Sequence, residues 1–193
     1  MGCASKPLNI AFIALAVVGS LLTIVSIATP QWRNKETSVS VAGISSSVKA
    51  SMGLFDCGSA TVSGVGSGTV TAGCGTTDWQ KAASAMLILG LLLCLACVVW
   101  GIITCCACCC EKCFAPLLIV FSAAATLLLI IGVTIYGVKS GEKIGNMPTN
   151  VAGLESKDNF GYSMWLAIVA IVVMFADTIV AVLLCKCASV SPI

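Results

Sequence analysis

The sequence predicts an all-α transmembrane fold, in which four helices cross a bilayer and one polar segment forms a small antiparallel β-sheet. Hydrophobic residues make up 59% of the 193 residues and charged residues only 9%, against roughly one quarter charged residues in a soluble domain. Four apolar stretches are long enough for a hydrocarbon core, which takes about 20 residues. The long polar segment 29–81 alternates polar and apolar residues in places, as half-buried strands do.

The four predicted spans belong to a single domain over 1–193 and cover 8–28, 82–104, 115–138 and 162–184. The first span is longer than the roughly 7–15 apolar residues of a signal peptide, and Pro30 is poorly placed for cleavage after Ala28. It is therefore predicted to remain uncleaved. The third span begins near Pro116, at a favourable first-turn position. Small and hydroxyl residues along this span favour close packing inside a bundle.

Composition also excludes some functions. The formal net charge is only +2 and the chain has no basic run, so nucleic-acid binding is not expected. Histidine is absent, which removes the commonest general base and the commonest metal ligand. We therefore expect a protein that is not an enzyme and carries no cofactor.

Two signals disagree about which side of the membrane the termini occupy. Lysine and arginine residues are usually enriched on the cytosolic side of a membrane protein. Seven of the ten lie on the side away from the termini, so this rule places the termini outside. Nine of the thirteen cysteines lie on the side of the termini, as suits a reducing cytosol. The cysteines are given more weight, so 1–7, 105–114 and 185–193 are predicted to be cytosolic, and 29–81 and 139–161 extracellular.

The cysteines on the side of the termini lie close to the membrane boundary, where cysteines are typical sites of S-acylation. The candidates are Cys3, Cys105, Cys106, Cys108, Cys109, Cys110, Cys113, Cys185 and Cys187. Cys105/Cys108 and Cys110/Cys113 also have the C-x-x-C spacing of metal ligands. A connector of about ten residues beside the membrane offers no core for a closed metal centre, so acylation is preferred and no metal is predicted. For Cys3, an ordinary short tail is an equal alternative.

The ribbon between Cys57 and Cys74 is predicted to be a hairpin turning at Val65-Gly66. In that register opposing residue numbers add to a constant, so Val62 faces Thr69 and Cys57 faces Cys74. Opposed residues of an antiparallel pair lie about 4.5–5.5 Å apart, within reach of a disulfide. A β-branched Val65 disfavours a tight primed turn, so we expect the turn to widen across the neighbouring glycines.

Two further features are candidates for partner contacts. Asp177 is the only charged residue inside a predicted span, where an unpaired carboxylate is costly. It is interpreted as a protonated or hydroxyl-bonded packing residue, with a contact to another membrane protein and an ion site as alternatives. The tail from Ser191 to Ile193 has the form of a PDZ ligand, and an unstructured end is the alternative.

Trp32, Gly53-Leu54-Phe55, Cys57 and Cys74, together with four spans and a larger first loop, resemble the claudin superfamily. This group includes claudins, peripheral myelin and epithelial membrane proteins, and gamma-type channel subunits. The family motif is a tryptophan, then Gly-Leu-Trp, then two cysteines in the first loop. Here Phe55 replaces the second tryptophan, the first cysteine comes one residue early, and the two cysteines lie further apart than in typical claudins.

The resemblance implies a left-handed four-helix bundle under an extracellular sheet that contains the Cys57–Cys74 disulfide. Trp32 and Gly53-Leu54-Phe55 would wedge between the sheet and the helix ends, and the second outer loop would widen the sheet. The implied function is a junctional protein of the plasma membrane, at cell–cell contacts, that self-associates laterally and between cells. Because the ribbon is nearly uncharged, a barrier is favoured over an ion-selective channel.

Two alternatives remain open at this point. One is an auxiliary subunit beside a channel or receptor, which Asp177 motivates. The other is a myelin-type or epithelial-membrane-type organiser, which the acylatable cysteines suggest. The partners expected are therefore the lipid bilayer, a second copy of the chain or a channel subunit, and a PDZ scaffold.

Overall fold

The structure is a computed structural model that describes 5–41, 44–55, 59–63, 68–71, 78–106, 111–145 and 155–190. Its four helices are α1 (Ser5–Ala28), α2 (Asp78–Cys106), α3 (Glu111–Gly145) and α4 (Tyr162–Val190). Each contains a segment long and apolar enough to cross a membrane, so the prediction of four spans is confirmed. These segments are Pro7–Ala28, Asp78–Cys105, Pro116–Ser140 and Tyr162–Cys187.

The helices extend beyond the predicted spans, because an apolar run marks the membrane and not the ends of a helix. α3 begins at Glu111, so Pro116 lies inside the helix and not in its first turn as predicted. The missing N–H of Pro116 leaves the carbonyl four residues earlier without its helical donor. α1 ends at Ala28, where Thr29 N–H and its hydroxyl both donate to Val25 O and Pro30 disfavours continuation.

The helices pack as a ring in which α1 contacts α2 and α4, and α3 also contacts α2 and α4. Two groups of buried side chains fill the bundle. The larger includes Trp32, Leu87, Leu129 and Tyr136, and the smaller includes Phe12. Side chains facing outward are apolar as well, as a lipid environment requires of a spanning bundle.

α2 and α3 pack through two reciprocal glycine–leucine contacts. A Cβ on Gly90 would lie 2.9 Å from Leu129 Cδ2, and a Cβ on Gly132 would lie 2.8 Å from Leu87 Cγ. Because glycine has no side chain, each glycine leaves room for a leucine side chain of the other helix. The two backbones can therefore approach closely.

We expect Gly132→Ala to destabilise the bundle by about 1–3 kcal/mol, because the added methyl group overpacks the contact with Leu87. Gly137→Ala on the same helix is the matched control, since its Cβ would meet only the terminal methyl of Met164, at 3.2 Å. Thermal unfolding of both variants in detergent micelles measures the difference. Equal melting temperatures would contradict this account of the α2–α3 contact.

Five strands form one antiparallel sheet in the order β4-β3-β2-β1-β5. They are β1 (Arg33–Val41), β2 (Ile44–Met52), β3 (Ser59–Ser63), β4 (Gly68–Thr71) and β5 (Glu155–Phe160). The first four come from the segment between α1 and α2, and β5 comes from the segment between α3 and α4. β1 therefore lies between partners from both connections, with Arg33 opposite Met52 on one side and Phe160 on the other.

The predicted register of the ribbon is wrong by one residue. Ala60 pairs with Val70, and Val62 pairs with Gly68, whereas the prediction placed Val62 opposite Thr69. In the observed register the last pair is Val62 with Gly68, so five residues separate the paired positions. A two-residue hairpin loop needs an even number between paired positions, so the prediction of a turn centred on Val65-Gly66 does not fit this register. Cys57 and Cys74 lie outside the described residues, and the register that placed them opposite each other does not hold.

Candidate functional site at the junction of sheet and helices

Trp32 lies between the end of α1 and the start of β1 and is fully buried. Its indole Nε1–H donates to the carbonyl oxygen of Ser26 at 3.0 Å. That carbonyl belongs to the last turn of α1, where carbonyls have no helical donor. The motif tryptophan thus caps the first helix while its ring fills the core below the sheet.

Tyr136 of α3 holds the ring of Trp32 in place. The two ring centroids lie 4.8 Å apart with a tilt of 56°, and Trp79 of α2 packs edge-on against the same tyrosine at 5.7 Å. The Tyr136 hydroxyl donates to Gly53 O at 3.4 Å. These three rings therefore join α2, α3 and the start of the sheet.

The motif segment Gly53-Leu54-Phe55 divides between the core and the surface. A Cβ on Gly53 would lie 3.2 Å from Pro30 Cα, so the glycine allows two backbone segments to meet. Leu54 is buried, whereas Phe55 is 50% exposed. The prediction that the whole segment wedges against the helix ends is therefore wrong for Phe55. The chain bends after β2, and there the side chain of Leu54 faces the core while that of Phe55 does not.

The start of α4 forms the other half of the junction. Gly161 N–H donates to Trp32 O at 3.0 Å, and Ser163 N–H donates to Gln31 O at 3.2 Å. The Ser26 hydroxyl donates to Ser163 O at 2.9 Å. A Cβ on Gly161 would overlap the carbonyl oxygen of Gln31, so this contact needs glycine. The end of α1 and the start of α4 are thereby joined beside Trp32, by two backbone N–H groups and the Ser26 hydroxyl.

Arg33 is the charged residue of the junction and is only 8% exposed. Its Nη1 donates to Ser140 Oγ at 2.7 Å, and the guanidinium lies 5.4 Å from the ring centroid of Phe160. The Ser140 hydroxyl in turn donates to Gly137 O at 3.3 Å. Arg33 therefore ties the first residue of β1 to the last turns of α3 and to β5. We name the set Trp32, Arg33, Tyr136, Ser140 and Gly161 the sheet–bundle junction.

We expect Arg33→Gln to lower the free energy of unfolding by about 1.5–3 kcal/mol, because a buried hydrogen bond from a charged donor is lost. The control is Lys139→Gln, which removes the same charge from an exposed position one residue from Ser140. Thermal unfolding in detergent, followed by tryptophan fluorescence, measures both. If the two variants melt together, the effect of Arg33 is one of net charge and not of its position.

The intramembrane carboxyl forms a second polar feature, on the interface between α3 and α4. Asp177 is fully buried, and Ser122 Oγ lies 3.2 Å from its Oδ2. Ser122 Oγ also lies 2.8 Å from Thr178 Oγ1, and the Thr126 hydroxyl donates to Ser122 O at 2.9 Å. Of the three interpretations of Asp177, this geometry favours a hydroxyl-bonded packing residue. A contact on the outer surface of the bundle does not fit its burial.

The predicted acylation sites are only partly within the described side chains. Cys105 and Cys187 are exposed and Cys185 is half-buried, all as free thiols. Cys185 and Cys187 lie on α4, which continues past the predicted end of the fourth span to Val190. Cys106 lies in α2 and Cys113 lies in α3, but the side chains of these two residues are outside the described part of the structure. Outside the described residues lie Cys3, Cys108, Cys109 and Cys110, together with the tail residues Ser191 and Ile193.

Arg33 of the junction and the neighbouring Trp79 belong to no sequence motif. Arg33 counts only as one of the basic residues that bear on orientation. Tyr136 went unremarked, although it is one of only two tyrosines and lies within a predicted span, where a hydroxyl requires a partner. Gly161, just before the fourth span, carries no signal in one sequence that distinguishes it from the other 17 glycines.

The junction contains connected backbone and side-chain contacts that fix the sheet on the helix ends. No curated protein matches the chain. A family model described as "Tight junction protein, Claudin-like" matches residues 4–190. That match covers nearly the whole chain, including all four helices and the two segments that form the sheet. The chain therefore belongs to the claudin-like family.

Proposed function

We propose that this protein is a non-enzymatic junctional protein of the plasma membrane, which self-associates laterally and between cells to form a paracellular barrier. In this proposal the bundle is left-handed, the termini are cytosolic and the sheet is extracellular. The observation that carries the proposal is the sheet–bundle junction, which fixes a five-stranded sheet on the ends of the helices. A sheet held in one orientation can meet another copy repeatedly in the same geometry, as an ordered polymer requires.

The sheet offers two different edges for association. β4, at one edge, has the uncharged sequence GTVT. β5, at the other edge, carries charges that its register places opposite charges of β1 with the other sign, Lys35 with Asp158 and Glu36 with Lys157. Opposite charges at facing positions stabilise a strand pair. The charges at these facing positions of β1 and β5 are thus balanced within the sheet. The uncharged edge at β4 supports a barrier over an ion-selective pore.

Other parts of the proposal concern covalent modification and the tail. A Cys57–Cys74 disulfide would brace the extracellular sheet. Acylation of exposed thiols such as Cys105 and Cys187 would hold the opposite end of the bundle at the inner leaflet. The Ser191–Ile193 tail would bind a PDZ scaffold. Mass spectrometry of the purified protein, with and without reduction and hydroxylamine, tests the disulfide and the thioesters directly.

Expression of the tagged protein in cells without tight junctions tests the junctional role. We expect enrichment at contacts between two expressing cells, strands in freeze-fracture images, and reduced passage of small tracers. The matched variant carries Thr69→Lys and Thr71→Lys on β4, because charges on an edge strand oppose edge-to-edge pairing. It should reach the surface, measured by biotinylation, but form no strands. Wild-type protein spread evenly over the cell surface would contradict the proposal.

The alternative of an auxiliary channel subunit loses the feature that motivated it. Asp177 is buried between α3 and α4 and is hydrogen bonded within the chain, so it does not present a free carboxyl to a partner helix. Copurification from the native membrane in mild detergent separates the two functions. A stoichiometric channel subunit in the purified complex would favour the auxiliary role, and homo-oligomers alone would favour the junctional role.

A further inference from the structure

Asp177 lies in a cluster of oxygen atoms that has too few hydrogen-bond donors for a carboxylate. The Thr126 hydroxyl donates to Ser122 O, and the Thr178 hydroxyl is 3.0 Å from Met174 O, to which it donates. The Ser122 hydroxyl alone remains to serve Asp177 Oδ2. Asp177 Oδ1 is buried and has no hydrogen-bond partner among the described residues.

The basic residues of the described spans lie near the span ends, away from Asp177. The nearest basic residue along α4 is Lys186, nine positions later, which is about 14 Å along a helix. On α3, Lys112 lies ten positions before Ser122, about 15 Å along the helix, and Lys139 lies 17 positions after it, about 25 Å. Residues 7–28 of α1 include no titratable side chain, and the groups facing Asp177 from α2 are the buried thiols of Cys94 and Cys97. An unpaired buried carboxylate is strongly disfavoured in such surroundings.

A single proton on Oδ2 gives every hydroxyl in the cluster a consistent role. Asp177 then donates to Ser122 Oγ at 3.2 Å, Ser122 donates to Thr178 Oγ1 at 2.8 Å, and Thr178 donates to Met174 O at 3.0 Å. The direction of the Ser122–Asp177 bond is the reverse of that in the ionised form. The chain of three hydrogen bonds crosses from α4 to α3 and returns to α4.

We propose that Asp177 is a proton-binding site of the bundle, whose proton begins this chain of hydrogen bonds and locks α3 to α4. The lock also reaches α1. The carbonyl that ends the chain belongs to Met174, whose side chain packs against Gly19, where a Cβ would lie only 2.6 Å from Met174 Sδ. The hydrogen bonds therefore involve the turn of α4 whose Met174 side chain packs against Gly19 of α1. The protonated carboxyl thus bonds α4 to α3 beside the turn of α4 that packs on α1.

Infrared spectroscopy of the full chain in lipid nanodiscs at pH 7 tests this proposal. The other Asp and Glu residues lie outside the interior of the spans, and because both proteins contain them, their bands cancel in a difference spectrum. The wild-type minus Asp177→Asn difference spectrum should contain the carbonyl band of one protonated carboxylic acid. In Ser122→Ala that band should move to higher frequency, because the acid loses its acceptor. A carboxylate band in the difference spectrum, or an unmoved band in Ser122→Ala, would overturn the proposal.

Thermal unfolding distinguishes a bound proton from a bound metal cation. Asn keeps the shape of a neutral Asp and can donate to Ser122, so Asp177→Asn should retain the wild-type melting temperature more closely than Asp177→Ala does. The wild-type melting temperature should be the same in sodium chloride and in choline chloride of equal ionic strength. A melting temperature that rises specifically with sodium would assign the cluster to a metal ion and overturn the proton site.

Discussion

Gly161→Ala is expected to prevent the sheet from seating on the helices and to destabilise the protein by at least about 3 kcal/mol. The added Cβ would overlap the backbone carbonyl of Gln31 and would lie 3.0 Å from the carbonyl carbon of Trp32. Neither neighbour is a flexible side chain that could move aside. The hydrogen bond from Gly161 N–H to Trp32 O would break with the displacement, so α1 and α4 would separate beside Trp32.

The measurement is thermal unfolding of the purified variant, together with its surface abundance in cells. Gly137→Ala is again the control, because the same added methyl group meets only the end of the Met164 side chain and alanine favours the helix. The variant with alanine at 161 should be retained inside the cell while the control reaches the surface. Wild-type stability in both would mean that the contact with Gln31 is not needed for the fold.

Trp32→Ala is expected to destabilise the protein by about 3–5 kcal/mol, the usual cost of removing a buried aromatic side chain. The loss includes the packing against Tyr136, the hydrogen bond to Ser26 O and the volume of the indole. Trp32→Phe separates these contributions. It keeps most of the packing and loses the donor, so we expect it to cost roughly 1 kcal/mol from the hydrogen bond and a further amount from the smaller ring.

Trp165→Ala is the control for tryptophan loss, because Trp165 of α4 is 59% exposed and faces outward from the bundle. Its stability should stay close to that of the wild type. Unfolding can be followed by circular dichroism, since removing a tryptophan also changes the fluorescence signal. If Trp165→Ala destabilised the protein as much as Trp32→Ala does, the loss of stability could not be attributed to the buried contacts of Trp32.

The membrane spans could be predicted from the sequence, and the pairing of the strands could not. An apolar run near 20 residues has one stable solution in a bilayer, a helix that bonds its own backbone. A strand, by contrast, forms its backbone hydrogen bonds with other strands. The register between β3 and β4 depends on the number of residues in the turn, and changing that number by one moves every pair, as Val62 and Gly68 illustrate.

The motif residues predicted where the site lies, but not how it is held. Trp32 and Leu54 are buried at the junction, in agreement with the resemblance, and Phe55 is not. Tyr136 and Gly161 contact Trp32 from positions more than 100 residues further along the chain. Such contacts follow from how four helices close into a ring, which spacing within one loop does not encode. Asp177 differs because a buried charge is conspicuous in any apolar run.

The hydrogen bonds that join the end of α1 to the start of α4 also fix the order in which the protein can be completed. The hydrogen bond from Ser26 to Ser163 joins residues 137 positions apart. At a synthesis rate of roughly 5–20 residues per second, the second partner follows the first by roughly 7–27 s. During that interval Trp32 and the first four strands have been made, but the segment that covers them has not. A nascent chain arrested before α4 should therefore leave Trp32 accessible to proteases and chaperones, and completion of the last helix should remove that access.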